Sequence, residues 1–485
     1  MEQLTWFGAP GAIFAWPFYI AAGLFFLAVA ASLVGYFGNV AAAMAGADGA
    51  KAATAKISSL AASLAKWPGL VIAAIIVLYC VLSIFYGAQE RGIAGNVFMR
   101  FGPVWITMIA IFAVSIALKK NLGLYGKLFQ SPVGMIGFAL VVFWVLTALF
   151  GAFDMIVTHD PLDQIARLKN DPPGSPLPST EDGEYPWFLL GGDNLGRDVF
   201  TRMVSGAGVV ITIAPLATFF GYIVGITLGL PAGYYGGRLD TILSFLANLI
   251  LAFPVILLFY LLVTPEIVQT GIPVFMAAVF FIFPIVFITV LLNSRYKVLP
   301  HIRNPLLAVV LVLAFWLYLS TVSDTTRNPG TFLDFFPSGI DLFNIPGGVL
   351  VVFIAVVFVN SPTIFRIMRG LTLDVKNRDY VAAAQTRGET PWYIMLWEIL
   401  PNVRGPLIVD FCLRIGYATI LLGTLGFFGL GLPPESPDWG STINAGRKLL
   451  SVYLHPAITP AMALLSLVLG LNLLADGLRE QSLKD

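Results

Sequence analysis

The sequence predicts an all-α, polytopic membrane protein of about eleven transmembrane helices, and three observations carry that reading. Hydrophobic residues make up 58% of the 485 and charged residues only 11%, against about 25% charged in a soluble domain. The apolar residues gather into eleven runs, most of them near the ~20 residues a helix needs to cross a bilayer. Lysine and arginine are spread unevenly over the loops between those runs. The 28 basic and 27 acidic side chains nearly cancel, to a net charge of +1, so no bulk charge calls for nucleic acid. Cys80 and Cys412 each lie inside an apolar run, which argues against a disulfide. No cleavable signal peptide is expected, because no Lys or Arg precedes Lys51 and the first apolar run is too long for one.

In chain order the expected spans are Ile13–Phe37, Pro68–Tyr86, the short Val104–Leu118, Pro132–Phe153, Val209–Leu230, Thr241–Val263, Ile272–Asn293, Pro305–Thr321, Pro346–Phe365, Gly405–Leu430 and Pro456–Leu474. With the N-terminus outside and the C-terminus inside, cytoplasmic loops hold 18 of the 28 basic residues, as the positive-inside rule requires. Residues 1–130 then form a three-span leader and residues 131–485 a core. The long external loop 154–208 carries nine acidic residues against four basic. Its stretch "DPPGSPLPSTEDGEYP" (Asp171–Pro186) is dense in turn formers, so no regular structure is expected there.

The same topology places a polar segment, "DYVAAAQTRGETPWYIMLWEILPN" (Asp379–Asn402), in the cytoplasm between the ninth and tenth spans. Tyr380, Val381, Ala383 and Ala384 form an apolar strip of a short helix that Gly388 breaks. Thr390 is placed to cap a second helix with Pro391 in its first position, ending at Leu400 because Pro401 cannot continue it. Small side chains at Ala382, Ala383, Ala384 and Gly388 would admit another protein's backbone. The alternative is a helix lying on the headgroups, anchored by Trp392, Tyr393 and Trp397.

The stretch "AAAQTRGETPWYIMLWEILPN" resembles the cytoplasmic loop of ATP-binding-cassette (ABC) importer permeases, with Gly388 and Ile399-Leu400-Pro401 at the family's spacing. "GGDNLGRDVFTRMVSGA", "AGYYGGRLD", "AFP", "GFFGLGLPPESPDWG" and "NLLADGLRE" resemble, in family order, the dipeptide, oligopeptide and nickel permease branch. The resemblance runs from Ser131 to Glu480 without the seventh and eighth spans, so residues 264–346 read as an extra two-helix insertion in a type I permease core. It implies that residues 366–404 are a coupling loop that docks on a separate ATPase through Asp379, Tyr380, Ala382, Ala383, Ala384, Gly388, Ile399, Leu400 and Pro401. It also implies a second homologous permease subunit, two ABC ATPase subunits or domains, an extracytoplasmic solute-binding protein, and a bacterial inner-membrane location. The cargo would be a peptide or a related small solute, such as a nickel chelate or a glycoside. Two departures stand out: Ala382 occupies the place of the loop's Glu, with Asp379 nearby, and Leu422 that of a Glu before the "FLGLG"-like run. No GxxxxGK[ST] phosphate loop occurs, so this chain is expected to be no enzyme and to hold no cofactor, ATP and magnesium being bound by partners.

Other residues are weighed individually. "GDNLGRD" lacks the spacing of a phosphate or calcium loop, and Asp193 or Asn194 reads as a helix cap with an Arg197 ion pair. "AGYYGGRLD" is a tight turn whose glycines permit positive φ. Asp410 and Arg414, four apart in the tenth span, are either a self-satisfied pair or groups on the translocation path. His159, His301 and His455 are scattered, so no metal site is expected. An ion-gradient-driven secondary transporter is the alternative function, to which Asp410 would lend itself. The inverted repeats common in that class are not found, and no nucleophile-base pair suggests an intramembrane hydrolase.

Overall fold

The computed structural model describes residues 2–45, 48–179, 184–322, 347–430, 432 and 436–482. Among them, nine helices are long and apolar enough to cross a membrane, and two broken pairs raise the number to eleven. The chain divides into two compact units, residues 1–102 with 165–200, and residues 103–164 with 201–485. The leader boundary drawn at Gln130 therefore does not coincide with the division into units, which runs between Gly102 and Pro103.

In the first unit, α1 (Gly8–Met44) and α2 (Asp48–Ser83) form an antiparallel hairpin, followed by α3 (Gly92–Arg100). At 37 and 36 residues the hairpin helices are about 55 Å long, so they extend well past the expected spans. Their alanine-rich flanks propagate helix beyond the apolar stretch. Small residues let them approach: a Cβ on Gly35 would fall 2.8 Å from the Ser58 nitrogen. The stretch expected to be irregular contributes one short strand, β1 (Ser175–Pro176), antiparallel to β2 (Trp187–Phe188); residues 180–183 lie outside the described residues. The chain's start pairs beside it, Leu4 N–H donating to the Gly174 carbonyl at 3.0 Å. Arg100 lies 4.1 Å over the Tyr185 ring, whose hydroxyl is pushed up to about 12 by burial, against the pull of Arg100. Asp193 does not cap a helix as expected. Its carboxylate closes a turn by accepting from the Leu195 and Arg197 N–H groups at 2.8 and 2.9 Å and from the Arg197 side chain at 2.7 Å, two residues short of the next helix.

The second unit begins within α4 (Gly102–Ala117) and continues through α5 (Gly123–Leu128) and α6 (Pro132–Ala152). Interlocked rings join α4 to α6, with Trp105 on Phe143 at 5.1 Å and Phe112 on Phe138 at 5.4 Å. Then come α7 (Val199–Tyr235), α8 (Gly237–Leu251) and α9 (Val255–Val263). The sixth expected span is not one helix: α8 and α9 meet at 81°. Pro254 has no N–H to give to the turn behind it and disfavours α geometry at Phe253, so the helix stops at Leu251. Glycines 236 and 237, with φ of +66° and +62°, make the turn between α7 and α8.

Residues 264–346, expected as an insertion, include α10 (Pro265–Gln269), α11 (Ile272–Phe280), α12 (Ile282–Arg295) and α13 (Pro300–Val322); residues 323–346, and with them the first residue of the ninth expected span, lie outside the described residues. Next is α14 (Gly347–Val375), the most buried span, with 78% of its apolar stretch inside the protein. Glycines 221, 225, 229 and 233 of α7 face it at four-residue spacing. A Cβ on Gly229 would lie 2.9 Å from the Met368 side chain, and one on Gly233 2.7 Å from that of Thr372. After a polar segment described below, α18 (Arg404–Phe428), α19 (Trp439–Arg447) and α20 (His455–Ser482) pack together, and α20 lies along α6.

Candidate functional site: residues 379–402

Between α14 and α18 the chain forms α15 (Asp379–Thr386), α16 (Pro391–Tyr393), a π-helical stretch Ile394–Ile399 and α17 (Leu400–Asn402). The end of α15 is a Schellman motif: Gly388 N–H donates to the Gln385 carbonyl at 2.9 Å and Glu389 N–H to the Ala384 carbonyl at 3.2 Å. That closure needs the left-handed residue the sequence supplies, Gly388 at φ +79°. Pro391 opens α16 as expected, but the Thr390 side chain makes no cap hydrogen bond. The helix also does not stop at Leu400. The wide π turn relieves the clash a proline ring makes with the carbonyl four residues back, and the chain runs on through Pro401 to Asn402.

Burial divides the segment into two faces. Val381, Ala384 and Ile399 are fully buried, in an apolar cluster with Leu230 of α7, Ile364 and Met368 of α14, Leu407 of α18 and the half-buried rings of Trp392 and Trp397. Asp379, Ala382, Ala383, Thr386, Gly388 and Pro401 are exposed, while Tyr380 and Leu400 are half-buried. The expected strip is therefore Tyr380, Val381 and Ala384. Ala383 belongs to the outer face, and Ala384 is not available to a partner. Asp379 stands one helical turn from Ala382 on that outer face. The Tyr380 hydroxyl is buried without a hydrogen-bond partner among the described residues, and burial pushes its pKa up.

Polar contacts tie this segment and its approach to neighbouring helix ends. Lys376 donates to the Gly233 carbonyl at 3.0 Å, and Gln385 to the Tyr234 hydroxyl at 3.2 Å. Arg387 pairs with Glu398 at 2.7 Å, holding α15 against the π stretch. Arg369 forks onto Asp240, one of the two bonds measuring 2.6 Å. The Trp397 indole N–H donates to Ser294 of α12 at 3.1 Å. The turn after α7, the end of α12 and the 379–402 segment thus meet at one end of the second unit.

Asp410 and Arg414 do pair, at 3.4 Å, but the shorter bond to Asp410 comes from the Tyr222 hydroxyl of α7 at 2.6 Å. The carboxylate is thus shared by a cation and a phenol across two helices. The sequence reading missed Tyr222, which no local pattern marks. It also missed the glycine stripe of α7, which four-residue spacing in "GYIVGITLGLPAG" does display. Among the described residues, no His, Cys, Asp and Glu cluster fit for a metal is found.

Residues 298–482 match the family model described as binding-protein-dependent transport system inner membrane component. The chain is 28% identical over 291 residues to the glutathione transport system permease protein GsiD of Pectobacterium atrosepticum, covering 60% of this chain and 70% of that protein. With the dipeptide transport system permease protein DppC of Haemophilus influenzae it shares 26% over 351 residues, 72% of this chain and 90% of that one. A GsiD from Escherichia coli is 29% identical over 294 residues, 61% and 70% of the two chains. Nothing in these comparisons supports a secondary transporter, and the Asp410 carboxylate is engaged by both Tyr222 and Arg414. Residues 298–482 thus carry the inner membrane component of a binding-protein-dependent transport system, and the chain is a multi-pass inner-membrane permease subunit of an ABC importer, a kind that works with ATPase and binding-protein subunits and leaves ATP hydrolysis to its partners.

Proposed function

We propose that this permease imports peptides or closely related small solutes, and that residues 379–402 are the coupling loop on which its ATPase docks. The observation that carries the docking reading is the two-faced α15. Val381 and Ala384 anchor it in the apolar cluster, while Asp379, Ala382, Ala383 and Gly388 present a small, open outer face. Force applied to that face passes into α7, α12, α14 and α18 through packed side chains rather than through a flexible loop. Residues 366–404 then lie in the cytoplasm. A second homologous permease completes the path, two ATPase subunits or domains hold ATP and magnesium, and an extracytoplasmic binding protein delivers the cargo.

A cysteine at Ala383, in a chain whose Cys80 and Cys412 have been replaced, should cross-link to the ATPase subunit in the assembled complex, whereas one at the buried Val381 should not. Equal cross-linking at both positions, or at neither, removes the docking reading. The peptide reading rests on relatives named for dipeptide and glutathione transport. Proteoliposomes holding the complex and its binding protein should accumulate labelled di- or tripeptide in an ATP-dependent way. Accumulation of a nickel chelate or a glycoside with no peptide uptake would replace it.

A further inference from the structure

The span Ile272–Arg295, made of α11 and α12, precedes the matched residues 298–482, yet it is built into both the membrane core and the 379–402 segment. At one end of the inserted span, Ala277 and Phe281 sit in the main apolar core, the Phe281 ring meeting Phe220 of α7 at 5.5 Å and Phe353 of α14 at 6.0 Å. At the other end, Ser294 is 6% exposed and its hydroxyl works as both donor and acceptor: it donates to the Leu291 carbonyl at 2.9 Å and accepts the Trp397 indole N–H at 3.1 Å. The neighbouring Arg295 guanidinium stands 4.8 Å over the face of the same indole, within the range of a cation–π contact. Trp397 is thus held at edge and face by two consecutive residues of α12. It lies in the π-helical stretch, a register change that recurs at functional positions.

We infer that Ser294 and Arg295 are positioning residues of the transport cycle: through Trp397 they fix the register of the π stretch, so that α12 and the coupling segment move as one body. The inference rests on the docking reading above, to which it adds the part that carries motion from the docked face to the inserted helices. An inserted pair held only by apolar contact would slide against the segment. The hydrogen bond and the stacked guanidinium are directional, and they resist that sliding at the π-helical stretch.

The test uses the assembled complex with its ATPase, in proteoliposomes, and reads three quantities: ATPase co-purification, ATP hydrolysis and uptake per ATP. Arg295→Ala should keep co-purification and hydrolysis while uptake per ATP falls roughly fivefold, the equivalent of about 1 kcal/mol of coupling. Arg295→Lys, which retains a cation over the ring, should restore most of it. Trp397→Phe keeps a ring but removes the N–H donor, and should give a smaller loss in the same ratio. A wild-type ratio in Arg295→Ala overturns the inference, as does one in Trp397→Phe, which decides the matter should Arg295→Ala not accumulate. Failure of the docking reading shows separately, as absence of the Ala383 cross-link, whatever the ratio.

Discussion

The two ends of α7 are held by different chemistry. Near its start Arg202 is wholly buried, with its guanidinium donating to the carbonyls of Pro161 and Ser436 at 3.2 and 2.9 Å and to the Thr442 hydroxyl at 3.3 Å. The next carbonyl, that of Met203, accepts the N–H of Trp439 at 2.8 Å; Trp439 is likewise wholly buried and stacks edge-on against Trp144 at 4.9 Å. About 45 Å further along the helix, Gly233 receives Lys376 in a part-buried bond, and Tyr234 receives Gln385 in an exposed one where water can take either partner's place. A buried polar group deprived of its partner loses the full cost of desolvation, while an exposed one trades it for water. The first end is therefore a fixed joint and the second one that can be remade. On the proposed docking of an ATPase at residues 379–402, this division would supply contacts that persist at one end of α7 and contacts that exchange cheaply at the other.

The largest expected effect tests the fixed joint. Trp439→Ala should destabilise the protein by about 3–5 kcal/mol, and Arg202→Ala should also lower yield sharply, because it empties a wholly buried site and removes its bonds to Pro161, Ser436 and Thr442. Gln385→Ala, at the remade joint, should stay within about 0.5 kcal/mol. Membrane abundance and thermal aggregation in detergent measure all three. Similar losses at both ends would erase the distinction between them.

Between the joints lies the Tyr222, Asp410, Arg414 cluster. Asp410→Ala strands a cation in a poor solvent and should cost about 2 kcal/mol or more in stability, whereas Asp410→Ala with Arg414→Ala should recover much of the abundance. If transport recovers with abundance, the cluster is a strut joining α7 to α18. Abundance without transport would place Asp410 on the path. Tyr222→Phe separates the two further, since it removes the shortest bond to Asp410 while leaving both charges. It should mimic Asp410→Ala in transport only if the phenol sets the carboxylate's position.

Much of the membrane architecture was legible because each span is decided locally, by a run of apolar residues and the basic residues that flank it. The turn at Gly388 and the opening of α16 at Pro391 were legible for the same reason: a left-handed residue and a first-turn proline impose themselves on their own neighbours. Where the reading failed, a longer-range effect won. By its own chemistry Pro401 reads as a stop, but the buried side chains of Ile394, Met395, Leu396 and Ile399 hold the helix in the apolar cluster, and the chain widens its turn instead of ending it. Pro254, with no comparable anchor behind it, does break its span. Burial of Ala384 in place of Ala383 followed from which neighbours cover α15, and no property of α15 alone announces that. Arg202, Trp439, Tyr222 and Ser294 are all defined by partners more than a hundred residues away, beyond the reach of spacing.

A smaller effect on stability, with a large one on transport, is expected at the driven end. The space around Gly388 is open, with nothing within 4 Å of where a Cβ would stand, so the main cost of a side chain there is the left-handed backbone, about 1–2 kcal/mol for an ordinary residue. Gly388→Leu should therefore accumulate in the membrane yet lower both uptake and cargo-stimulated ATP hydrolysis. Gly388→Asn, which tolerates that conformation, should be milder. Equal loss in the two variants would mean that the partner excludes any side chain at this point and that backbone strain is secondary.

The smallest expected effect is a pH dependence of the fixed joint. Asp438, 4% exposed, caps α19 by accepting the Ser441 N–H at 2.9 Å. Its other oxygen has no hydrogen-bond partner among the described residues. Burial raises its pKa, and the Ser441 bond and the charge of Arg202 only partly oppose that shift. A carboxyl whose pKa is higher folded than unfolded stabilises the fold in its protonated form. That contribution is complete below the unfolded value, about 3.9, and is lost as pH rises through the folded value. The wild-type thermal midpoint, measured relative to that of Asp438→Asn, should accordingly rise as pH falls from neutral toward the unfolded value, about 3.9. Asparagine keeps the capping oxygen and removes the titration, so the difference between the two curves isolates this one group. Parallel curves would mean that Asp438 titrates alike folded and unfolded. A midpoint falling relative to Asp438→Asn would mean that attraction to Arg202 outweighs burial, making the fixed joint a charge pair rather than a desolvated clamp.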